Sequence, residues 1–317
     1  MTRPVRHALL LTAGLGVRLR PLTLVRAKPA IPVAGEPLAR RIVRWLATHG
    51  VTDLVANLHH LPATMTAALG DCSDLGARLR YSWEQPTLLG SAGGPRHALP
   101  IVGADTFLVV NGDVLVDLDL SAVTAAHASS GALATLALVP NREPLKYGGV
   151  LLDDGGAVRG FVRGGPEAAG SYHFVGVQVV EAAGFRSLRD GRAANSVGGV
   201  YDELIAARPK CIRNFLSEAS FHDIGTMPDY WTTSFAIAES PDPRGWVGHD
   251  VRVGRDARVN RSIVWDNVRI GAGAVLDECI VTDGVEVPAG ADYRRTILLK
   301  TERGVTATSF TPGETTT

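Results

Sequence analysis

Residues 7–29 read HALLLTAGLGVRLRPLTLVRAKP, and this stretch decides the fold. His7 to Thr12 is continuously apolar, which suits a strand covered on both faces at the centre of a parallel sheet. Gly14 and Gly16 then open a glycine-rich turn. Such a turn lets backbone N–H groups point at one spot. Phosphate oxygens bind there because the amides carry partial positive charge and no Cβ blocks approach. Leu11, Ala13, Gly14, Leu15 and Gly16 are the candidate lining. Arg18 adds a fork of donors and Lys28 a point charge. The glycines alone also fit a plain strand-to-helix turn. Leu19 breaks the GxGxxG dinucleotide pattern, and no GxxxxGK[ST] follows.

Downstream the pattern is β-turn-α-β. Residues 37–49 place Leu38, Ile42, Trp45 and Leu46 on one helical face, with Arg40, Arg41 and Arg44 on an opposite, solvated face, and Gly50 stops the helix. Strands are expected at 53–58, 77–83 and 107–113, with a helix at 63–69. This rhythm predicts an α/β fold, a doubly wound, mostly parallel, Rossmann-like sheet with right-handed crossovers. Strand-like segments then crowd together at 133–139, 149–154, 157–163 and 172–181, with Asp154-Gly155-Gly156 as a hairpin turn. Helices at 200–208 and 227–240 close a first domain, 1–240, and PDPRG marks a linker.

From Trp246 valines recur at 247, 253 and 259, the step slips by one at Val264, and Ile270 opens the next run. A six-residue apolar step predicts a short left-handed hexapeptide β-helix over 245–300, with coils of about 18 residues. The polar tail within 301–317, ending TSFTPGETTT, is expected to be disordered. The cap is expected to pack protomers into a homo-oligomer. Within it only His249 offers the histidine an acyltransferase would need.

The 317 residues carry 32 Lys+Arg against 32 Asp+Glu, so no basic excess draws nucleic acid or an anionic membrane. Cys72, Cys211 and Cys279 lie too far apart for a ligand cluster or disulfide framework, which points to reduced thiols and a cytoplasmic protein. The opening apolar run is too short for a signal peptide, and no stretch nears the length of a membrane span. His59 and His60 are adjacent, so on a strand they face opposite ways and do not share a metal.

Asn111-Gly112-Asp113 ends a buried strand, where a carboxylate faces the ligand crevice of such a sheet. Asp113 suits Mg²⁺, which takes one or two carboxylates plus phosphate oxygens. It can equally cap the helix that DLDLSAV starts, a task for which Asp117 and Asp119 compete.

The run AGLGVRLRPLT…KP resembles the signature of nucleoside-diphosphate-sugar pyrophosphorylases, the sugar-1-phosphate nucleotidyltransferases. Gly14, Gly16, Arg18, Leu19, Pro21, Leu22, Thr23, Lys28 and Pro29 all match. The resemblance implies that Arg18 grips the β- and γ-phosphates of a nucleoside triphosphate and that Lys28 sits by the α-phosphate. It implies Asp113 as one Mg²⁺ ligand. The segment Phe221-His222-Asp223-Ile224-Gly225-Thr226 is similar to the family's D-[IV]-G-T-P, which makes Asp223 the second ligand, although Met227 here precedes Pro228. Glu84 or Gln85, with Gly90, Ser91 and Gly112, would bind the nucleotide, and a Glu at the base edge would favour GTP. Gly148 after Tyr147, His173 and Gly176 would line the sugar. Where the family has F-x-E-K-P, this chain has Phe161-Val162-Arg163-Gly164-Gly165-Pro166, so the Glu-Lys pair is missing and Arg163 is the candidate phosphate anchor.

AKPAIPVAGEPL and LLGSAGG look most like mannose-1-phosphate guanylyltransferases and their bacterial relatives. The expected reaction is GTP with mannose 1-phosphate or a related sugar phosphate. Uridylyl or thymidylyl transfer to another hexose or amino-sugar phosphate, and a non-catalytic nucleotide-sugar sensor, are the alternatives.

Overall fold

A computed structural model of the chain describes residues 4–237 and 245–312. Most of the expected linker PDPRG, the end of the expected helix over 227–240, and residues 313–317 of the tail lie outside the described residues. The fold divides into two compact units, Met1–Leu15 with Ala39–His222, and Gly16–Leu38 with Asp223–Thr317.

The first unit is built on one nine-stranded sheet. Its strands are β1 (His7–Leu11), β2 (Asp53–Leu58), β3 (Arg78–Trp83), β4 (Thr106–Asn111), β5 (Ala134–Pro140), β6 (Gly149–Leu152), β7 (Val158–Val162), β8 (Tyr172–Glu181) and β9 (Ile212–Leu216). The order is β7-β6-β8-β4-β1-β2-β3, and β5 joins β8 and β9 beside it. Pairs β1–β2, β1–β4 and β2–β3 are parallel, whereas β8 runs antiparallel to β4 and β5. The continuously apolar β1 lies mid-sheet, and Ala8, Leu9 and Leu10 are fully buried there. That is what burial on both faces requires.

Helices α1 (Leu38–Thr48), α2 (Pro62–Leu69), α3 (Gly90–Val102), α4 (Leu120–Ser130), α5 (Ala183–Arg186), α6 (Tyr201–Ala207) and α7 (Met227–Ala236) complete the regular α structure. In α1 the arginine face is not simply solvated, because Arg40 pairs with Asp74 and donates to the Ala68 carbonyl. Asp119 caps α4, its carboxylate accepting from the Ser121 and Ala122 N–H groups. The capping task for which Asp113 and Asp117 were competitors is thereby filled.

A bulge splits β8 between Phe174 and Gln178. Gly176 sits in it at φ +76, and a β-carbon there would lie 2.7 Å from Nδ2 of Asn111. The bulge therefore makes room for the residue that ends β4.

In the second unit, residues 245–301 wind into a parallel β-helix of three ladders. Strand partners are seventeen residues apart, as in Gly245↔Ser262, Arg252↔Arg269 and Arg258↔Val275. The expected coil of about 18 residues is thus one too long. The one-residue slip at Val264 is regular: each coil takes two six-residue steps and one five-residue step. Val247, Val264, Val281 and Leu298 then share a stack. Nine corners have positive φ: Asp250, Asn267 and Gly284; Asp256, Gly273 and Gly290; Arg261, Glu278 and Arg295. A non-glycine residue there costs about 1–2 kcal/mol, which the buried stack of Val264, Ile270, Leu276, Val281 and Val287 offsets.

The expected tail is corrected in part. Gly304–Ser309 is a strand paired antiparallel with Thr296–Thr301, and the Phe310 ring lies 5.4 Å from that of Trp231. Val305 and the threonines favour a pleated strand, and the open edge of the last coil supplies its hydrogen bonds.

Gly176→Ala should lose about 1–2 kcal/mol from its backbone conformation alone. Thermal melting should show a midpoint lower by roughly 2–8 °C. An unchanged midpoint would mean that β8 relaxes around the added methyl.

Candidate active site

In the first unit the parallel strands β1, β2, β3 and β4 end on one edge of the sheet, the edge where doubly wound folds bind ligands. Register sets Leu11 beside Asn111 and Leu58 beside Trp83. The segments holding Leu11, Ala13, Gly14 and Leu15, then Glu84, Gln85, Gly90 and Ser91, then Gly112 and Asp113, all follow these strand ends. The space around Gly14 is open, with no atom within 4 Å of an added β-carbon. Gly112 N–H donates to the Leu11 carbonyl (3.0 Å), which fixes the turn that carries half-buried Asp113.

A buried polar chain ties this edge together. The Thr12 N–H donates to Oδ1 of Asn57 (2.6 Å), Asn57 Nδ2 donates to Oε1 of Glu84 (2.7 Å), and the Leu89 N–H donates to Oε2 of Glu84 (2.7 Å). Both Glu84 oxygens are therefore occupied, and the residue is 1% exposed. Gly94 leaves the space for it, since a β-carbon there would lie 2.5 Å from Oε1. Of the pair that the sequence left open, Glu84 organises the loop, and Gln85 is exposed.

Gly90 and Ser91 pack against the segment 194–196. A β-carbon on Gly90 would lie 2.7 Å from the Ala194 carbonyl oxygen, and the hydroxyls of Ser91 and Ser196 are 3.0 Å apart. The Ala92 and Gly93 N–H groups both donate to that Ala194 carbonyl. These positions shape the loop from behind.

Around the expected sugar site, Gly148 and Gly149 sit where β6 begins. A β-carbon on Gly149 would overlap the Ser171 side chain. His173 forms a cluster of three rings, its centroid 4.2 Å from tilted Tyr147 and 5.0 Å from stacked Phe221, with those two 5.7 Å apart. Together with Asn141 and Arg142 they line a cavity of about 280 Å³. Burial pushes the His173 pKa down to about 4, against a smaller opposing effect of its bond to the Gly148 backbone. The ring is neutral at pH 7. Gly176 is not open to a ligand; it is buried against Asn111. Arg163, just past β7, is exposed.

In the second unit Gly16 adopts a left-handed conformation at φ 59 and ψ 34. Its carbonyl accepts from the Thr23 hydroxyl (2.9 Å), and Lys28 Cβ would lie 3.2 Å from a β-carbon on Gly16. Arg18 is exposed on the short helix that follows, and Lys28 is 8% exposed. A β-carbon on Gly225 would lie 3.0 Å from Oδ2 of Asp223 and 3.1 Å from Nη2 of Arg18. These two charged groups thus converge on one glycine. Thr226 and Asp229 form a capping box at the start of α7, and Pro228 falls in the first turn, where no N–H is needed. The extra Met227 is absorbed in this way.

Among the described residues no group of three or more His, Cys, Asp or Glu gathers as a metal site. Asp113 in the first unit and Asp223 in the second are both half-buried carboxylates, each an oxygen donor of the kind that Mg²⁺ takes beside phosphate and water.

A profile described as nucleotidyl transferase matches residues 7–240. The chain belongs to the nucleotidyl transferase family. A second profile, GlmU-like C-terminal hexapeptide, matches residues 237–293. The chain is 29% identical over 276 residues to a UTP–glucose-1-phosphate uridylyltransferase of Synechocystis, covering 82% of this chain and 71% of that protein. It is 32% identical over 248 residues to a mannose-1-phosphate guanylyltransferase of Mycobacterium tuberculosis, covering 77% and 69%. An N-acetylmuramate α-1-phosphate uridylyltransferase of Neisseria meningitidis is 38% identical over 189 residues, covering 59% and 80%. The crystal structure of HddC from Yersinia pseudotuberculosis superposes with a TM-score of 0.63 at 20% identity, covering 73% and 98%. At that identity the likeness shows the fold. The reaction class expected from the signature therefore holds: the chain is a sugar-1-phosphate nucleotidyltransferase by family.

Sequence reasoning missed Asn57, a lone polar residue in the apolar run DLVANL, and the rings of Tyr147 and Phe221 that cluster with His173. The burial of an Asn among apolar neighbours was the available signal.

Glu84→Ala would strand the Asn57 amide and the Leu89 N–H, at about 1–3 kcal/mol. A lower melting midpoint is expected, and an unaltered one would show that water replaces the carboxylate without cost. For His173, the unfolded chain binds more protons than the folded one between about pH 4 and the ordinary value of 6.5. Stability should therefore fall as pH drops through that window. His173→Gln should flatten the slope of melting midpoint against pH, leaving the part due to half-buried His222, which shifts the same way. An equal slope in the variant would remove His173 as its source.

Proposed function

We propose that the chain transfers a nucleoside monophosphate from GTP to mannose 1-phosphate or a related sugar 1-phosphate, releasing pyrophosphate. The observation that carries this reading is the open space around Gly14, at the end of a buried strand, in a chain that has Arg18 and Lys28 downstream. An oxygen of the sugar phosphate attacks the α-phosphorus in line. The new P–O bond forms as the bond to the β-phosphate oxygen breaks. The attacking group is already an anion, so no side-chain nucleophile is required. Arg18 holds the β- and γ-phosphates, and Lys28 offsets charge that builds at the α-phosphate. Mg²⁺ held by Asp113 and Asp223 would neutralise phosphate charge on both sides of the scissile bond. Gln85 has donor and acceptor atoms for a base edge.

The guanylyl assignment rests on the likeness of AKPAIPVAGEPL and LLGSAGG to guanylyltransferases and on the similarity to the mycobacterial protein. Uridylyl or thymidylyl transfer is the second reading, favoured by the uridylyltransferases of Synechocystis and Neisseria. A non-catalytic sensor is favoured only by the missing Glu-Lys pair, where exposed Arg163 stands in. Three buried free cysteines support a cytoplasmic setting. The β-helix is proposed to join protomers, an idea that a strictly monomeric mass in solution would end.

A panel of four nucleoside triphosphates with pyrophosphate release as the readout should show GTP preferred. Preference for UTP or dTTP would replace the base assignment, and nucleotide-sugar binding without any release would favour the sensor. Asp113→Ala should cost roughly 10²–10³ in rate or more, on the scale of losing one preorganised charge-stabilising group. EDTA should abolish turnover, and full activity in either case would remove the metal assignment.

A further inference from the structure

The second unit contains a half-buried ion cluster that the reaction does not use. Arg26 lies between Thr23 and Lys28, inside the signature segment. Its Nε donates to Oδ2 of Asp283 (2.7 Å), and its Nη2 donates to Oδ1 of Asp283 (2.6 Å) and to Oδ2 of Asp266 (2.5 Å). The two aspartates occupy the same corner of successive β-helix coils, seventeen residues apart. Asp283 also accepts from the Asp266 N–H (3.1 Å), and Asp266 from the His249 N–H (2.8 Å). The guanidinium carbon stands 5.3 Å from the ring centre of Trp265, which is fully buried. Trp265 Nε1 donates to the hydroxyl of Tyr230 (3.1 Å), and that hydroxyl donates to the Pro32 carbonyl (2.8 Å). The β-helix, directly at Arg26 and through Tyr230 at Pro32, therefore grips the segment at two points.

Both ends of the short run Thr23–Lys28 lie beside Gly16: the Thr23 hydroxyl donates to its carbonyl, and Lys28 Cβ would lie 3.2 Å from a β-carbon placed there. Arg26 sits inside that run. Displacing it would move the two groups that hold Gly16 left-handed, and with them Lys28 itself. A half-buried ion cluster adds little net stability, being partly screened by water, and the best-attested use of such charged groups in packed regions is to fix register. A fork of donors spanning two carboxylates does so in a way that lysine cannot match.

We propose that the β-helix is a positioning device for the triphosphate turn, with Arg26, Asp266 and Asp283 as positioning residues. This rests on the reading of that turn as the triphosphate site.

The test uses the full chain carrying Asp266→Asn with Asp283→Asn, and separately Arg26→Met and Arg26→Lys. The double variant and Arg26→Met should raise KM for the nucleoside triphosphate about tenfold or more, because misplacement of binding groups by about 1 Å costs up to 10²-fold. KM for the sugar phosphate should hold. Arg26→Lys should recover part of the loss. Hydrogen exchange of peptides covering 12–28 should speed up in the variants without nucleotide present. Unchanged triphosphate KM and unchanged exchange overturn the proposal, as does an equal rise in both KM values with a general loss of protection. If the wild-type chain turns over no triphosphate while exchange still rises at 12–28 alone, the clamp stands and the triphosphate reading falls.

Discussion

A backbone bend that binds phosphate has to stay empty of its own side chains and yet keep its shape. Those demands conflict, because glycine supplies the emptiness and also the freedom to collapse. This chain resolves the conflict from outside the bend. Gly16 is held by the Thr23 hydroxyl and by the stem of Lys28. Thr12 at the end of β1 is held by Asn57, which is held in turn by Glu84. Each of these supports is buried, so water does not compete for the hydrogen bonds that maintain it.

The same logic explains why Glu84 is spent on the loop rather than on a ligand. A buried carboxylate with both oxygens bonded is costly to disturb, and one that also faced a base would have to trade partners on binding. Gln85, one residue on and exposed, carries no such constraint.

Much of the fold could be read from residue pattern. The unbroken run Ala8–Leu10 could only be a central strand, and a glycine turn followed by Arg18 and Lys28 pointed at phosphate. The crowding of strand-like segments after residue 133 foreshadowed the change from parallel to antiparallel pairing. What stayed hidden depended on neighbours distant in sequence. Helix α3 was masked by Gly93, Gly94, Pro95 and Pro100, and Gly94 is there because Glu84 needs the space. Nothing in the local sequence singles out Arg26, since its aspartate partners lie more than 200 positions away. The polar string around Thr308 read as a loose end, although the last β-helix coil offers it an edge.

The strict seventeen-residue coil has a modular consequence. Corners and stacks recur every seventeen residues, so a whole turn can be added beyond Thr296 without altering the corner that carries Asp266 and Asp283. A single-residue insertion between them would instead swing every later apolar side chain outward at once. The rod is therefore tolerant of growth in whole coils and intolerant of fractions, and its length can change while the grip on Arg26 stays put.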